Sequence, residues 1–421
     1  MSMLATKYPL FKKKKTLSAA ILVLIFSLFM WNCVSTSTSP GPDIRGKAYA
    51  GSASCSTCHR QIYNEFIRTA HFHTSSDTLP TIVRSAFEKG RNEFDFNDSL
   101  KVVMEENNGQ YYQTALQNGN KINSHSFDIV IGSGRKAQTY LYYNDNRIFQ
   151  LPISYFMAEH TWANSPGFTA SYARFDRSIP SACFGCHSSF IAVNKTYKGL
   201  QLQETFEKGQ IAYGIDCERC HGPAAEHVAW YTEHPEEKQV KFITTIRSLN
   251  RSQKTDLCAI CHSGLQDAQQ SLFLFKPGDK LSDFYFPDFK HADPQNLDVH
   301  GKQTQLMMAS KCYQLSNELT CNSCHNVHVK ERENITGFSE RCITCHKEVN
   351  HSFAQKDKEI SSMIQNDCIS CHMPLTPSRT ITLLTKQQTS ATPDYIRNHL
   401  IKIYPEATKR FLDSLPLTRK Q

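Results

Sequence analysis

The chain has 421 residues, enough for two or three ordinary domains, yet only 40% of them are apolar, so side chains alone do not suggest a large oily core. Its formal charge is +8, but five lysines (Lys7 and Lys12 to Lys15) lie in the first 32 residues, which hold no acidic residue, and the remainder carries about +3. No basic run with interleaved aromatics follows, so a strongly basic nucleic-acid binder is excluded. The sixteen cysteines are the outstanding feature of the composition.

Residues 1–32 read as an export signal, with Lys12 to Lys15 as the positive region and Leu17 to Trp31 as the apolar run. That run is about 15 residues, short of the roughly 20 that span a bilayer, so cleavage is the first reading and a retained signal anchor the second. Residues 33–48 form a linker rich in Ser, Thr, Pro and Gly. Cys33 stands where a bacterial lipoprotein carries its acylated cysteine, although Trp31 and Asn32 match the small residues of such a box poorly. The expected location is exported: periplasmic, or membrane-anchored and facing the periplasm.

A first CxxCH motif, Cys55-Ser-Thr-Cys58-His59, falls in a segment of residues 49–75, where EFIRTAHFHTS reads as a helix carrying His71. Residues 76–180 are β-rich. SLKVVMEENNGQYYQTALQ and QTYLYYNDNRIFQLPISYF carry β-branched and aromatic residues around Asn107-Asn108-Gly109 and Asn144-Asp145-Asn146, the pattern of two hairpins in a small antiparallel sheet.

Residues 181–400 hold six further motifs: Cys183/Cys186/His187, Cys217/Cys220/His221, Cys258/Cys261/His262, Cys321/Cys324/His325, Cys342/Cys345/His346 and Cys368/Cys371/His372. QLQETFEKGQIAY, DVHGKQTQLMMASKCY and KDKEISSMIQND read as short helices between them, and residues 401–421 as a tail with a short, basic, exposed helix after Pro405. The expected fold is mainly α with extensive loops wrapped around haems, a multihaem cytochrome c fold with a small antiparallel β insertion between haem 1 and haem 2.

The motif's chemistry explains its spacing. Two thiols add to the two vinyl groups on one edge of a haem, and the histidine that follows turns back under the ring as proximal ligand of the iron. A disulfide framework or a zinc ribbon has no use for a histidine after every second cysteine, and a CxxC redox pair occurs once or twice, not seven times. Seven covalently bound c-type haems are therefore expected, held by fourteen cysteines, with Cys33 and Cys312 left over. They would serve as core, about one for every 56 mature residues. Two propionates each would bring the mature charge to about −11 with ferrous and about −4 with ferric iron, so that docking responds to redox state and salt.

Seven proximal histidines leave eleven for the sixth positions. His227 follows its motif by six residues, beyond the Gly222-Pro223 turn, and His328 follows His325 by three, so each faces away from its own haem and toward a neighbour's. His71 (with His73 as competitor), His300, His351 and His399 are further candidates, as is His160, for which pocket acid chemistry is the other reading. His125 is less secure, and His234 and His291 read as solvent-exposed. Met307 and Met308, beyond His300, read as packing residues.

In CHRQIYNEFIRTAH, CERCHGPAAEH, HGKQTQLMMASKCY leading into CNSCHNVH, and CISCHMP, the chain resembles a group of multihaem c-type cytochromes. The group includes the tetrahaem cytochrome of ammonia oxidisers, pentahaem nitrite reductases, octahaem tetrathionate reductases and hydroxylamine oxidoreductases. The resemblance covers most of residues 50–400. It implies that His71, His227, His300 and His328 ligate neighbouring haems, which stack in close parallel and perpendicular pairs. Many of the nitrite reductases carry a CxxCK motif at the catalytic haem, and this chain has none.

The first functional expectation is an electron carrier in a respiratory chain, its haems mostly bis-histidine and closed to substrate, working with other redox proteins or membrane quinol-linked complexes. Membrane association would run through the N-terminus. The second is an oxidoreductase of a small nitrogen or sulfur compound at one open haem. No catalytic constellation stands out, which favours the carrier.

Overall fold

The computed structural model describes residues 42–77, 84–168, 171–264, 267–285, 293–349, 351, 358–384 and 391–415. The export signal, Cys33 and His291 lie outside these, and the account below concerns the compact unit Ile44–Gln421. Helix and strand hold nearly equal shares, 30% and 28%, so the expectation of a mainly α fold is corrected.

Among the described residues, ten strands lie between the first two motifs: β1 (Ser75–Ser76), β2 (Glu93–Asp95), β3 (Leu100–Asn107), β4 (Gln110–Gln117), β5 (Asn120–Ser126), β6 (Ile129–Ile131), β7 (Ala137–Asn144), β8 (Arg147–Gln150), β9 (Ile153–Phe156) and β10 (Thr161–Asn164). They form a four-stranded sheet in the order β2-β3-β4-β5 and a six-stranded sheet in the order β1-β6-β7-β9-β10, with β8 also on β7. Both hairpins read from the sequence are present. Their two-residue turns, Asn108-Gly109 and Asp145-Asn146, have positive φ throughout (51°, 76°, 48° and 58°), the type I′ geometry that matches strand twist. A third such turn, Asn118-Gly119, joins β4 to β5.

Strand alternation decides the layering. In β7, Tyr140 and Tyr142 point into a core shared with Val102, Met104 and Ala115 of the smaller sheet, while Leu141 points to the opposite face. Buried Gln113 clamps the two sheets: its Nε2 donates to the Ile153 carbonyl (2.8 Å) and its Oε1 accepts from the Ile153 amide (3.1 Å). On the outer face, Ile129, Leu141 and Ile148 pack against Phe184 of the second motif and Ile191, Phe206 and Ile211 of a long hairpin. The sandwich is thus the wall on which the second motif is mounted.

That hairpin, β11 (Ser188–Lys198) with β12 (Gln201–Tyr213), overturns the helix read at QLQETFEKGQIAY. Leu202 and Phe206 lie four apart, a spacing that both a helix and a strand place on one face. Gly209, at φ 88°, breaks the helical option, and cross-strand pairing with β11 settles the choice. A last hairpin, β13 (Leu375–Leu383) with β14 (Thr392–Arg397), follows the seventh motif.

The helices are short: α1 (Ser52–Cys55), α2 (Arg60–Phe66), α3 (Ser181–His187), α4 (Cys217–His221), α5 (Ala225–Glu233), α6 (Arg251–His262), α7 (Gln303–Met308), α8 (Lys311–Leu315), α9 (Ile335–Ile343), α10 (Lys358–Gln365), α11 (Cys368–His372) and α12 (Pro405–Ser414). α2 stops at Phe66, so His71 stands in the turns beyond it rather than on a helix. Thr69 ends the run: its hydroxyl donates to the Phe66 carbonyl and accepts the Phe72 amide. His300 likewise precedes α7.

Candidate functional site

Each CxxCH motif sits on or beside one helical turn, and several of these turns carry their own cap. Asp216 accepts the Arg219 amide (2.9 Å), Asp367 accepts the Ser370 amide (3.0 Å), and Thr320 makes a reciprocal box with Ser323. The residue just before the first cysteine thereby starts the turn that brings both thiols and the histidine to one side.

The motifs are neighbours in space. The thiols of Cys55 and Cys217, Cys186 and Cys261, Cys258 and Cys321, and Cys342 and Cys368 lie close enough for each to shift the ionisation of the other. These contacts join the first motif to the third, the second to the fourth, the fourth to the fifth and the sixth to the seventh. Cys220 lies close enough to Cys258 and Cys261, and Cys324 to Cys342 and Cys345, for their charges to interact, which links the third motif to the fourth and the fifth to the sixth. All seven motifs therefore form one contiguous array.

Four imidazole pairs stand out. Ring centroids of His71 and His262 are 6.1 Å apart, of His221 and His328 6.1 Å, of His325 and His399 6.2 Å, and of His351 and His372 6.4 Å. An imidazole nitrogen sits about 2.0 Å from a metal it ligates, so two imidazoles on opposite sides of one metal hold their centroids about 6.3 Å apart. Each pair joins a motif histidine to a candidate from elsewhere in the chain. Its gap suits an iron. His300 stands near His187; burial first, and then that neighbouring imidazole, push His187 down to about 4. Burial holds His71 and His399 near 4 as well, each with other imidazoles adding to the effect. All three rings are thereby neutral at physiological pH, the form that ligates a metal.

Backbone carbonyls orient the rings. Nδ1 of His221 pairs with the Thr244 carbonyl (3.1 Å), that of His227 with Lys241 (2.8 Å), that of His372 with Lys402 (3.0 Å), and that of His399 with Arg397 (3.1 Å). That leaves Nε2 of each as the nitrogen that could meet a metal. The segment Lys241–Thr244 so grips both histidines that flank Gly222. Asp298 braces His300 by accepting its amide (2.8 Å) together with groups on Ser378, Arg379 and Thr380 of β13.

The other candidates are placed differently. His73 is exposed, its ring edge-on to Phe72, while His71 beside it faces His262. His125 stacks on Tyr142 in the sandwich at 3.9 Å, and His234 lies exposed against Trp230. His160 closes the β9–β10 turn at φ 50°, exposed. His227 is carried by α5, whose first amide, Ala225, donates to the Ala48 carbonyl (3.1 Å) beside the first motif. Among the described residues, no imidazole lies across from His59 or His346 at the paired separation.

Sequence reasoning missed a buried charge cluster that locks the first haem segment to the third motif. Arg45 donates to Asp216 and Glu218 at 2.8 Å each. Glu218 also accepts the amides of Ala50, Gly51 and Ala224. Arg219, buried, donates to the carbonyls of Gly185 and Leu272 and so holds the second motif as well. The signal available was the Glu-Arg pair between two haem cysteines, charges that burial tolerates only when they are paired.

The family described as cytochrome c554 and c-prime matches residues 159–222, which include the second and third motifs. The multiheme cytochrome MtrA of Shewanella baltica (strain OS185) is 23% identical over 184 residues, 40% of this chain and 52% of that protein. Both matches are to multihaem c-type cytochromes, and the chain is similar to these. The chain spans about half the length of that curated relative, and no solved structure matches it. The facing imidazoles and motif thiols fit haem chemistry, since c-type haem is bound covalently through cysteine and ligated by histidine.

Proposed function

We propose that the chain is an exported seven-haem electron carrier of a respiratory chain, its irons held by two histidines each. The observation that carries this reading is the set of four imidazole pairs separated by 6.1 to 6.4 Å. Bound haem supplies reversible one-electron chemistry at iron, its potential tuned by ligand type, burial and nearby charge.

In this assignment, His59, His187, His221, His262, His325, His346 and His372 are proximal ligands. His71 faces the site of His262, His328 that of His221, His399 that of His325, His351 that of His372 and His300 that of His187. His227 completes the first site, since α5 starts against Ala48 in the first haem segment. His160 completes the sixth. Its turn adjoins the β6–β7 loop, where the Met157 amide donates to Lys136 and the Arg135 carbonyl accepts Arg332, just ahead of α9 and the sixth motif.

The contiguous thiol array supports transfer within the chain, with other redox proteins or a membrane quinol-linked complex at its ends. Export reaches the compartment where such carriers work, through the apolar run of residues 17–31. An oxidoreductase acting on a small nitrogen or sulfur compound at one open haem is the second reading.

The test is haem quantification of the holoprotein, expected at seven per chain, with electron paramagnetic resonance of the oxidised protein before and after nitrite or cyanide. Seven low-spin irons untouched by either ligand bear out the carrier. A high-spin iron that binds nitrite overturns it in favour of the enzyme.

A further inference from the structure

Two guanidiniums are buried beside the third motif, and their charges are balanced differently. Arg45 takes both neighbouring carboxylates, Asp216 and Glu218, at 2.8 Å each. Arg219 is 8% exposed and, among the described residues, forms no ion pair. Its side chain is held by carbonyls instead: Nη2 donates to Leu272 (2.9 Å) and Gly185 (3.2 Å), and Nη1 to Phe275 (3.5 Å), while Nε is buried without a hydrogen-bond partner. A charge buried in this way is costly, and the fold retains it. It stands between two motifs. Gly185 lies within the second, and Cys261 Sγ, in the fourth, is 3.7 Å from the same Gly185 oxygen that Arg219 holds. Cys186 Sγ in turn is 3.9 Å from the Ile260 carbonyl beside Cys261. Both sulfurs are within electrostatic reach of the guanidinium. Arg341, between the fifth and sixth motifs, differs: it holds the Cys324 carbonyl but is paired with Glu331. Arg251 and Arg397 also hold carbonyls near motifs, yet both are only half-buried.

We propose that Arg219 is a fixed charge that raises the reduction potential of the haems attached at Cys186 and Cys261, making this junction the place where electrons collect in the array. A guanidinium is a permanent charge, so its effect does not come and go with pH. The step concerned is the one-electron reduction of ferric to ferrous iron by a neighbouring haem, whose own iron is oxidised from ferrous to ferric in turn. The reduced site carries one positive charge fewer, and a nearby cation favours that product. A unit charge about 10 Å away, at an effective dielectric of about 20, changes such an equilibrium on the order of tenfold. The inference rests on the carrier reading, in which these motifs hold haem, and haem quantification reads that separately.

Optical redox titration of the full-length holoprotein tests the proposal, after the haems of each variant have been counted. Arg219→Gln keeps a side-chain amide for the carbonyls and removes the charge. It should move the two uppermost of the seven one-electron steps implied by the motifs about tenfold toward the oxidised form, about 59 mV downward, and leave the others in place. Phe273→Glu keeps the arginine and its carbonyl contacts but sets a carboxylate where a ring centre now lies 5.9 Å from the guanidinium carbon, and should lower the same two steps. Where Arg219→Gln fails to hold its haems, Phe273→Glu alone decides. Uppermost steps that stay in place in Phe273→Glu, or in a fully loaded Arg219→Gln, overturn the proposal. So does a shift spread evenly over all the steps, which would assign Arg219 to packing rather than to charge.

Discussion

Replacing His328 with alanine tests the pairing most directly. His328 faces His221 across 6.1 Å with ring planes only 11° apart, so removal of its imidazole should open one sixth position and no other. The loop should hold its shape, because the His328 amide is bound by Asn326 Oδ1 (3.1 Å) and the Asn326 amide by Glu331 (2.8 Å), neither through the ring. What is lost in packing is one edge-to-face contact with Phe66 at 6.0 Å, worth about 1 kcal/mol. One iron of the seven implied by the motifs, about 14% of the total, should pass from low to high spin. The oxidised variant should show that fraction as a new high-spin paramagnetic resonance signal, and the reduced variant should bind one carbon monoxide per chain where the parent binds none. A variant that stays wholly low-spin and binds no carbon monoxide would refute the assignment of His328 to the His221 site.

His160→Ala should likewise produce one new high-spin iron if the β9–β10 turn supplies the sixth ligand opposite His346; unchanged spectra would leave that iron to another group. Glu218→Ala strips the buried Arg45, whose side chain is 4% exposed, of a carboxylate 2.8 Å away and should cost roughly 3 to 5 kcal/mol in calorimetry. A loss under about 1 kcal/mol would show that the cluster does not lock the first segment. Gly214→Ala drives a Cβ into the Phe72 carbonyl at φ 66°, so it should displace the Phe72 segment. The low-spin signal at the His262 site should fall with it, because the His71 carbonyl is bound to the Ile215 amide at 2.8 Å. Asp298→Ala removes the brace shared by His300 and β13, and should lower the midpoint of thermal unfolding and broaden the signal of the His187 site.

The cytochrome chemistry was legible because covalent haem attachment is local: two thiols and an imidazole within five residues announce it without any tertiary partner. The type I′ turns at Asn108-Gly109 and Asp145-Asn146 were legible for the same reason, since positive φ at adjacent residues selects asparagine, aspartate and glycine. QLQETFEKGQIAY misled because a spacing of four between Leu202 and Phe206 satisfies both periods, and only pairing with β11 distinguishes them. The mainly α expectation failed on the same ground, along with the view of the β insertion as small: each strand of the sandwich is unremarkable alone and is held by its neighbours.

The sequence by itself determined the two-thiol-and-imidazole unit that covalent haem attachment uses, the repetition of that unit and the turn types of the main hairpins. Tertiary structure alone decided which imidazole faces which, why His71 rather than His73 turns inward, and how Arg45, Glu218 and Arg219 bind three motifs together. A facing imidazole pair is a meeting of residues far apart in the chain, 191 positions for His71 and His262. That meeting is fixed by the packing of the segments between them and by carbonyls such as those of Lys241 and Thr244 that aim the rings. Neither has a local signature.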